Sequence, residues 1–308
     1  MKKYITALLV FIICFFTLGC GELTFDDIIY TDATETVAFE TLQEDYAVAN
    51  NDTTQLNVKY ETKLEIKIND NNYTRDIITI VGDYEKRNIM QIEIACKKNN
   101  TLEKTIYQTC YNGEIYTLVK YEGENSDGSN NIKNYLNYNT DVWTKQAMLS
   151  AILPTLNEES IEYWYQKTFE DVSYTKYAMY WNKINPEFSE VKTEEELIAT
   201  FDENLLLATM NSAGEIDYSV FGFGGLDFNL PDTYITNYYV EYGIKSGAFK
   251  YVSMFRKEYK MMNKENNIYG SVKSTTLLTA YGQEVNNLIS FPADSESYKP
   301  IPEPPVGE

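Results

Sequence analysis

The strongest pattern in the chain is the alternation of apolar and polar positions in "QLNVKYETKLEIKIN". Leu56, Val58, Tyr60, Leu64, Ile66 and Ile68 share one parity, and Gln55, Asn57, Lys59, Glu61, Lys63, Glu65 and Lys67 share the other. Successive side chains of a strand point to opposite faces, so the run predicts one long strand with a dry face and a wet face. Such alternation belongs to antiparallel sheets, because buried parallel strands are apolar on both sides. "NDNN" supplies a turn into "YTRDIITIVGDYE", and "NIMQIEIACKK" repeats the alternation through Met90, Ile92, Ile94 and Cys96. In "TIYQTCYNGEIYTLVKYEG" the Asn112-Gly113 pair is a strong hairpin signal. Residues 55–122 therefore predict four or more sequential antiparallel strands.

"GENSDGSNN" then reads as a solvated turn, since it lacks the ligand spacing and closing Glu of an EF-hand. Beyond it the period changes. "TDVWTKQAMLSAIL" sets Val142, Leu149 and Leu153 at helical spacing before Pro154, and "NEESIEYWYQKTFEDV" places Ile161, Trp164, Tyr165 and Phe169 on one helical face. "TEEELIATFDENLLLATM" opens with Thr193 and Glu196 as a capping box and carries a stripe of Leu197, Phe201, Leu205 and Ala208. Residues 33–49 read as another helix, with Val37, Leu42 and Tyr46 inward, while 172–192 fits neither period. Strands return from about Gly214, in "TYITNYYVEYGIK", "SGAFKYVSMFRKEYKMM", "NIYGSVKSTTLLTAYG" and "VNNLISF". The ending "FPADSESYKPIPEPPVGE" holds five of the eight prolines and predicts an extended, poorly ordered tail. Strands, then helices, then strands predict an α+β fold in which amphipathic helices pack on the dry face of an antiparallel sheet.

The first residues carry a different signal. Lys2 and Lys3 precede an apolar run from Ile5 to Leu18, shorter than the roughly 20 residues a spanning helix needs and suited to the core of a secretory leader. Gly19 and Cys20 follow. This resembles a bacterial lipobox, whose cysteine receives a diacylglyceryl group and becomes the first residue after cleavage. The leucine usual three places before that cysteine is Thr17 here, with Leu18 one place late. An ordinary secretory leader with a chance cysteine, or an uncleaved anchor, is the alternative. The lipobox reading divides the chain into a signal peptide at 1–19, a lipid-anchored linker at 20–32, one folded domain at 33–292 and a tail at 293–308. It also predicts an extracytoplasmic location, with the bacterial membrane as partner through the lipid on Cys20.

Composition narrows the function classes. There are 26 Lys and Arg against 46 Asp and Glu, a net charge of −20, and removal of Lys2 and Lys3 with the leader deepens it. Such a surface repels nucleic acid and anionic headgroups, so nucleic acid is not an expected partner. No histidine occurs, which excludes Ser-His-Asp and Cys-His catalysis within the chain and removes the usual zinc ligand. "GFGGLDF" lacks the Lys of a phosphate loop and reads as a bend. A carboxylate pair could in principle hydrolyse a glycosidic bond, but nothing in the sequence selects one. The expectation is a non-enzymatic protein with no cofactor and no metal. With Cys14 in the leader and Cys20 modified, Cys96 and Cys110 remain as candidates for a disulfide or for two buried thiols. A tight turn at Asn99-Asn100 would set Cys96 opposite Glu103.

An exported, lipid-anchored chain of meandering strands, intervening helices and further strands resembles the LolA/LprG-like lipoprotein carrier family. The family's last strand commonly carries Tyr-Gly, then Val, a β-branched residue and Pro, and "AYGQEVNNLISFP" offers Tyr281, Gly282, Val285, Ile289 and Pro292 with two extra residues before the proline. The resemblance implies a curved antiparallel sheet, an incomplete β-barrel, with amphipathic helices over its concave face and a cavity for a hydrophobic or lipid-like ligand between them. Leu64, Ile66, Ile92, Ile94, Leu197, Phe201 and Leu205 are then the candidate lining. A filled core, in an envelope lipoprotein that works through its outer surface, is the alternative. No particular protein partner is indicated.

Overall fold

The computed structural model describes residues 35–123, 131–137, 144–150, 152, 164–169, 174–181, 193–205, 209–210, 216–217, 234–263, 265 and 267–300. The leader, Cys20 and its linker, most of "GENSDGSNN", "GFGGLDF" and residues 301–308 lie outside these.

The alternating stretch forms strand β2 (Val58–Ile68), in which every residue of the apolar parity is buried, Thr62 included. Strands β3 (Asn71–Tyr84), β4 (Arg87–Lys98), β5 (Thr101–Tyr111) and β6 (Glu114–Tyr121) follow, each pairing antiparallel with the one before. Three of the hairpins turn on two residues that both have positive φ: Glu85-Lys86, Asn99-Asn100 and Asn112-Gly113. That geometry matches the twist of the flanking strands and suits Asn and Gly. Glu85 and Lys86 carry a Cβ into the left-handed region, at roughly 1–2 kcal/mol per residue. Glu85→Asn combined with Lys86→Gly is therefore expected to stabilise the fold by about 1–2 kcal/mol, read as a higher urea midpoint with an unchanged slope. A lower midpoint would mean that the native side chains support the turn.

Strand β7 (Ile132–Asn137) continues the meander beside β6. Strands β8 (Trp164–Phe169) and β9 (Tyr174–Trp181) form a hairpin-like pair, and the short β1 (Glu35–Val37) joins β8. Strands β10 (Thr209–Met210) and β11 (Ile216–Asp217) form a separate small pair. Strands β12 (Tyr234–Ser246), β13 (Lys250–Met262) and β14 (Ile268–Tyr281) form a second meander. Its last strand pairs with β2 from Gly270–Ile68 to Tyr281–Val58, welding the two meanders together. Among the described residues this gives a 13-stranded sheet in the order β1-β8-β9-β12-β13-β14-β2-β3-β4-β5-β6-β7-β15, where β15 is Lys299–Pro300. All neighbours are antiparallel except β15, which runs parallel to β7. The sheet is curved and its two edges do not meet.

Helix α1 (Phe39–Thr53) lies against β12 and β13 and buries Phe39, Leu42, Tyr46 and Ala49. Helix α2 (Lys145–Ser150) lies near β3, and α3 (Glu194–Leu205) follows its predicted capping box. Leu42 of α1, Met148 and Leu149 of α2 and Leu197 of α3 belong to one buried cluster with the dry face of the sheet.

Four expectations are corrected. The helix expected over 33–49 begins only at Phe39 and runs on to Thr53, while Val37, expected on its inward face, lies in strand β1 opposite Trp164, where its β-branched side chain suits the extended backbone. The helix expected around Trp164 and Phe169 is strand β8: its Trp, Tyr, Thr and Phe suit a strand, and cross-strand pairing to β9 outweighs a helical spacing that the same aromatics satisfy. "VNNLISF" is not a final strand. After β14, Gly282 turns the chain at φ 71, and a short helix α4 (Gln283–Asn286) buries Val285. The predicted tail is packed as far as residue 300. Phe291 sits 5.1–6.1 Å from the rings of Tyr84, Tyr111 and Tyr116, and Tyr298 is buried 5.5 Å from Tyr116. Ser290 N–H donates to Gln91 Oε1 at 3.1 Å, so this segment straps the wet face of the first meander. Aromatic stacking and edge pairing thus order a stretch whose prolines suggested disorder.

Candidate functional site

The predicted lining residues come together. Leu64 and Ile66 of β2, Ile92 and Ile94 of β4 and Leu197 of α3 all point into the buried cluster. Their exposures are 0, 1, 7, 1 and 1% respectively. A side chain with no accessible area adjoins no water-sized space, so in this conformation these five form packed interior and do not face an open void. The side chains of Phe201 and Leu205, within the backbone of α3, lie outside the described residues.

Helix α3 is held at one end of the sheet by its N-terminus. Thr193 N–H donates to Glu196 Oε2 at 2.7 Å, and Glu196 N–H donates to Thr193 Oγ1 at 3.3 Å, the reciprocal bonds of a capping box. Asn71 Nδ2 donates to Glu194 Oε1 at 2.9 Å, and Tyr73 Oη donates to the same oxygen. These bonds seat the first turn on β3, and Leu197 then packs into the cluster one turn further on.

A polar row crosses the otherwise apolar face. Register aligns Val240, Lys257, Ser274, Leu64, Arg75, Cys96 and Lys104 on neighbouring strands from β12 to β5. Lys257, Ser274 and Arg75 are 3, 1 and 1% exposed. Arg75 Nη1 donates to the carbonyls of Lys97 at 3.1 Å and Thr74 at 3.2 Å, and Lys257 Nζ lies 5.4 Å from the centre of the Tyr238 ring. Ser274 Oγ is buried without a hydrogen-bond partner. In the next row, the hydroxyls of Thr62 and Thr276 bond each other at 2.8 Å. None of these was predicted as a site residue. The signal was nevertheless present, because Arg75 falls between Tyr73 and Ile77, and Lys257 between Phe255 and Tyr259, on the buried parity of their strands.

The opposite face closes at the β9–β12 end around a different group. Lys176 Nζ pairs with Glu241 Oε1, the other oxygen of which accepts from Tyr239 Oη, and the three residues are 5, 1 and 0% exposed. Burial and the Glu241 carboxylate hold the Tyr239 phenol protonated, and so a donor, far above neutral pH. Arg256 lies over the Tyr239 ring at 5.5 Å and donates from Nη2 to Glu258 at 2.8 Å.

Cys96 and Cys110 are both buried and are not joined by a disulfide. Register sets Cys96 opposite Lys104 and Cys110 opposite Met90, six positions apart along β4 and β5. At about 3.3 Å per residue this is roughly 20 Å, beyond the 7 Å limit for bridging two Cα atoms. The predicted opposition of Cys96 to Glu103 is also off by one residue, because the ladder shifts register between Cys96 and Lys97. Burial pushes the Cys110 thiol far up, which keeps it protonated and unreactive. Among the described residues no group of three His, Cys, Asp or Glu side chains is placed to hold a metal, and no helix is long and apolar enough to cross a membrane. A half-open cleft of about 460 Å³ lies outside the interior, between Lys245, Tyr251 and Tyr281.

No protein-family model and no curated protein matches the chain. Among solved structures, the likeness found to "Crystal structure of an N-terminal dehydratase from difficidin assembly line" is 8% identical, with a TM-score of 0.12, over 84% of this chain and 97% of that one. A superposition that loose carries no argument about fold or activity.

Proposed function

We propose that this chain is a membrane-anchored bacterial surface lipoprotein of the LolA/LprG type, which binds or carries a hydrophobic or amphipathic ligand between the dry face of its sheet and the helices over it. The reading is non-enzymatic and places Cys20 as the lipid attachment. The observation that supports it is the wide, mainly apolar face that spans β13 through β6, crossed by the polar row of Lys257, Ser274 and Arg75, in a curved sheet that does not close. A protein needing only a small compact core has no use for so wide an apolar floor. Because Leu64, Ile66 and Ile94 are covered, ligand entry requires the layer above them to lift, Leu197 of α3 included.

The tight burial of those same residues favours a second reading, an envelope lipoprotein with a filled core that acts through its outer surface. One experiment separates the two. The purified soluble domain is expected to carry extractable lipid detectable by mass spectrometry, and to bind a fluorescent fatty acid saturably with about one site per chain. Leu197→Asp, placing a charge where the layer closes, is expected to weaken that binding at least tenfold with the far-ultraviolet circular dichroism of the sheet unchanged. Absence of both copurified lipid and saturable binding in the wild-type domain would sink the carrier reading and leave the filled-core one.

A further inference from the structure

Strands β13 and β14 part before they end. Their ladder stops at Met254–Leu277, yet β13 stays paired to β12 as far as Lys250–Ser246, and β14 stays paired to β2 as far as Tyr281–Val58. A bulge lies on each strand within two residues of the parting. Ser253 has no opposite residue between the Gly243–Met254 and Ile244–Val252 pairs, and Thr279 has none between Leu278–Tyr60 and Ala280–Lys59. Bulges bend a strand and end its pairing, and they recur beside functional sites. The fork is built rather than frayed, because side chains hold backbone groups of β13 along it. Lys250 N–H donates to Asp52 Oδ2 of α1 at 2.9 Å, and the Val252 carbonyl accepts from the buried Tyr60 hydroxyl at 3.0 Å. Groups already held in this way leave little for an added peptide strand to pair with.

The opening is the half-open cleft of about 460 Å³, lined by Tyr251 and Ser253 of β13, Thr279 and Tyr281 of β14, Lys245 of β12 and Glu284 of α4. That volume lies within the range of small-molecule sites. The Tyr251 and Tyr281 rings meet at 5.5 Å between centres, and Phe249 packs on them at 5.5 and 5.7 Å. These contacts fix the rings, while Tyr281 keeps 44% of its surface. Ser253 gives its hydroxyl hydrogen to the Gly243 carbonyl at 3.1 Å, so what it offers the cleft is an acceptor oxygen. Lys245 brings donors and Glu284 acceptors, and neither side chain is paired among the described residues. Both are exposed, so water screens them and a net charge on a ligand gains little there. A fixed ring face beside donors and acceptors of no net sign suits a sugar, which has a C–H face and a rim of hydroxyls. We infer that the fork between β13 and β14 is a binding site for a neutral carbohydrate, whose pyranose ring stacks on Tyr281 while its hydroxyls bond Lys245, Glu284 and the Ser253 oxygen. The site lies outside the packed interior and does not rest on the carrier reading.

The test titrates cellobiose, maltose and chitobiose onto the purified chain, in a detergent without a sugar head, by saturation-transfer NMR and calorimetry. At least one is expected to bind saturably, with a Kd of about 1 mM or below. Tyr281→Ala is expected to weaken that binding at least tenfold, and Tyr281→Phe to keep it within threefold, because the ring and not its hydroxyl carries the stacking. Glu284→Ala, on an exposed residue, is expected to weaken it at least threefold with an unchanged urea midpoint, which guards against a folding defect in the tyrosine variant. Absence of binding by all three sugars would overturn the inference, and so would full affinity in both Tyr281→Ala and Glu284→Ala. Binding of free glycine or phenylalanine in place of the sugars would mark an amino-acid site and overturn the assignment to carbohydrate. Displacement of the fluorescent fatty acid by the sugar would also overturn it, by making the cleft part of the carrier's ligand site.

Discussion

Lys176→Met is expected to destabilise the domain by about 3–5 kcal/mol, measured as the loss in unfolding free energy in urea. Lys176 and Glu241 are paired where their side chains keep only 6 and 1% of their surface, so neither charge has bulk water to fall back on. Their attraction does not make the pair a large net gain over two apolar residues, because removing both ions from water nearly offsets it. Removing one partner is a different matter. Glu241 would remain buried beside the Tyr239 hydroxyl, its charge no longer offset by Lys176. The double variant Lys176→Met with Glu241→Leu is therefore expected to recover most of the loss. A single variant that falls by less than 1 kcal/mol would place the pair in the class of exposed salt bridges and show that water reaches it. The adjacent pair of Arg256 and Glu258 supplies an internal control. Its carboxylate side chain keeps 39% of its surface, so Glu258→Gln should cost well under 1 kcal/mol.

The same cluster shows why part of the molecule was readable from the sequence and part was not. The first meander was legible because its strands are consecutive and half-wet. In β2 the alternation of Lys and Glu with Leu and Ile reports which side faces water, and Asn112-Gly113 reports where the chain reverses. The capping box of α3 was legible for a similar reason, since Thr193 and Glu196 act within one turn of helix. Strand β12 was legible from its alternation, whereas β8 and β9 were not: in β9 the adjacent Lys176 and Tyr177 are both buried, which breaks the period of two. Aromatic residues fill β8 and β9, and aromatics suit a helical stripe and a strand equally well. The C-terminal strap was misread because its order comes from Phe291 and Tyr298 meeting rings of β3, β5 and β6, partners that composition does not reveal. The polar row was half legible. Arg75, Lys257 and Ser274 each break the dry parity of one strand, but only the pairing of β14 with β2 brings them onto one line. That pairing joins segments some two hundred residues apart, and no local pattern encodes it.

Cys20→Ser is expected to abolish membrane retention, with the protein recovered in the soluble fraction or as an unprocessed precursor and with no incorporation of labelled fatty acid. The reasoning is a comparison of attachment strengths. Each buried methylene contributes about 0.8 kcal/mol, and one acyl chain holds a protein only reversibly, whereas two make a stable anchor. In the lipobox reading both chains sit on the Cys20 thioether, so a hydroxyl in its place removes the whole anchor at once. Among the described residues no helix is long and apolar enough to replace it, and the chain's net charge of −20 is repelled by anionic headgroups. The effect should be confined to location. Cys20 lies ahead of the first described strand at Glu35–Val37, so the soluble variant is expected to keep the unfolding midpoint of the lipid-free domain. It should also keep its affinity for the fluorescent fatty acid, which separates tethering from ligand binding. Full membrane retention of Cys20→Ser without fatty-acid label would refute the lipobox and return the N-terminal segment to the alternative of an uncleaved anchor.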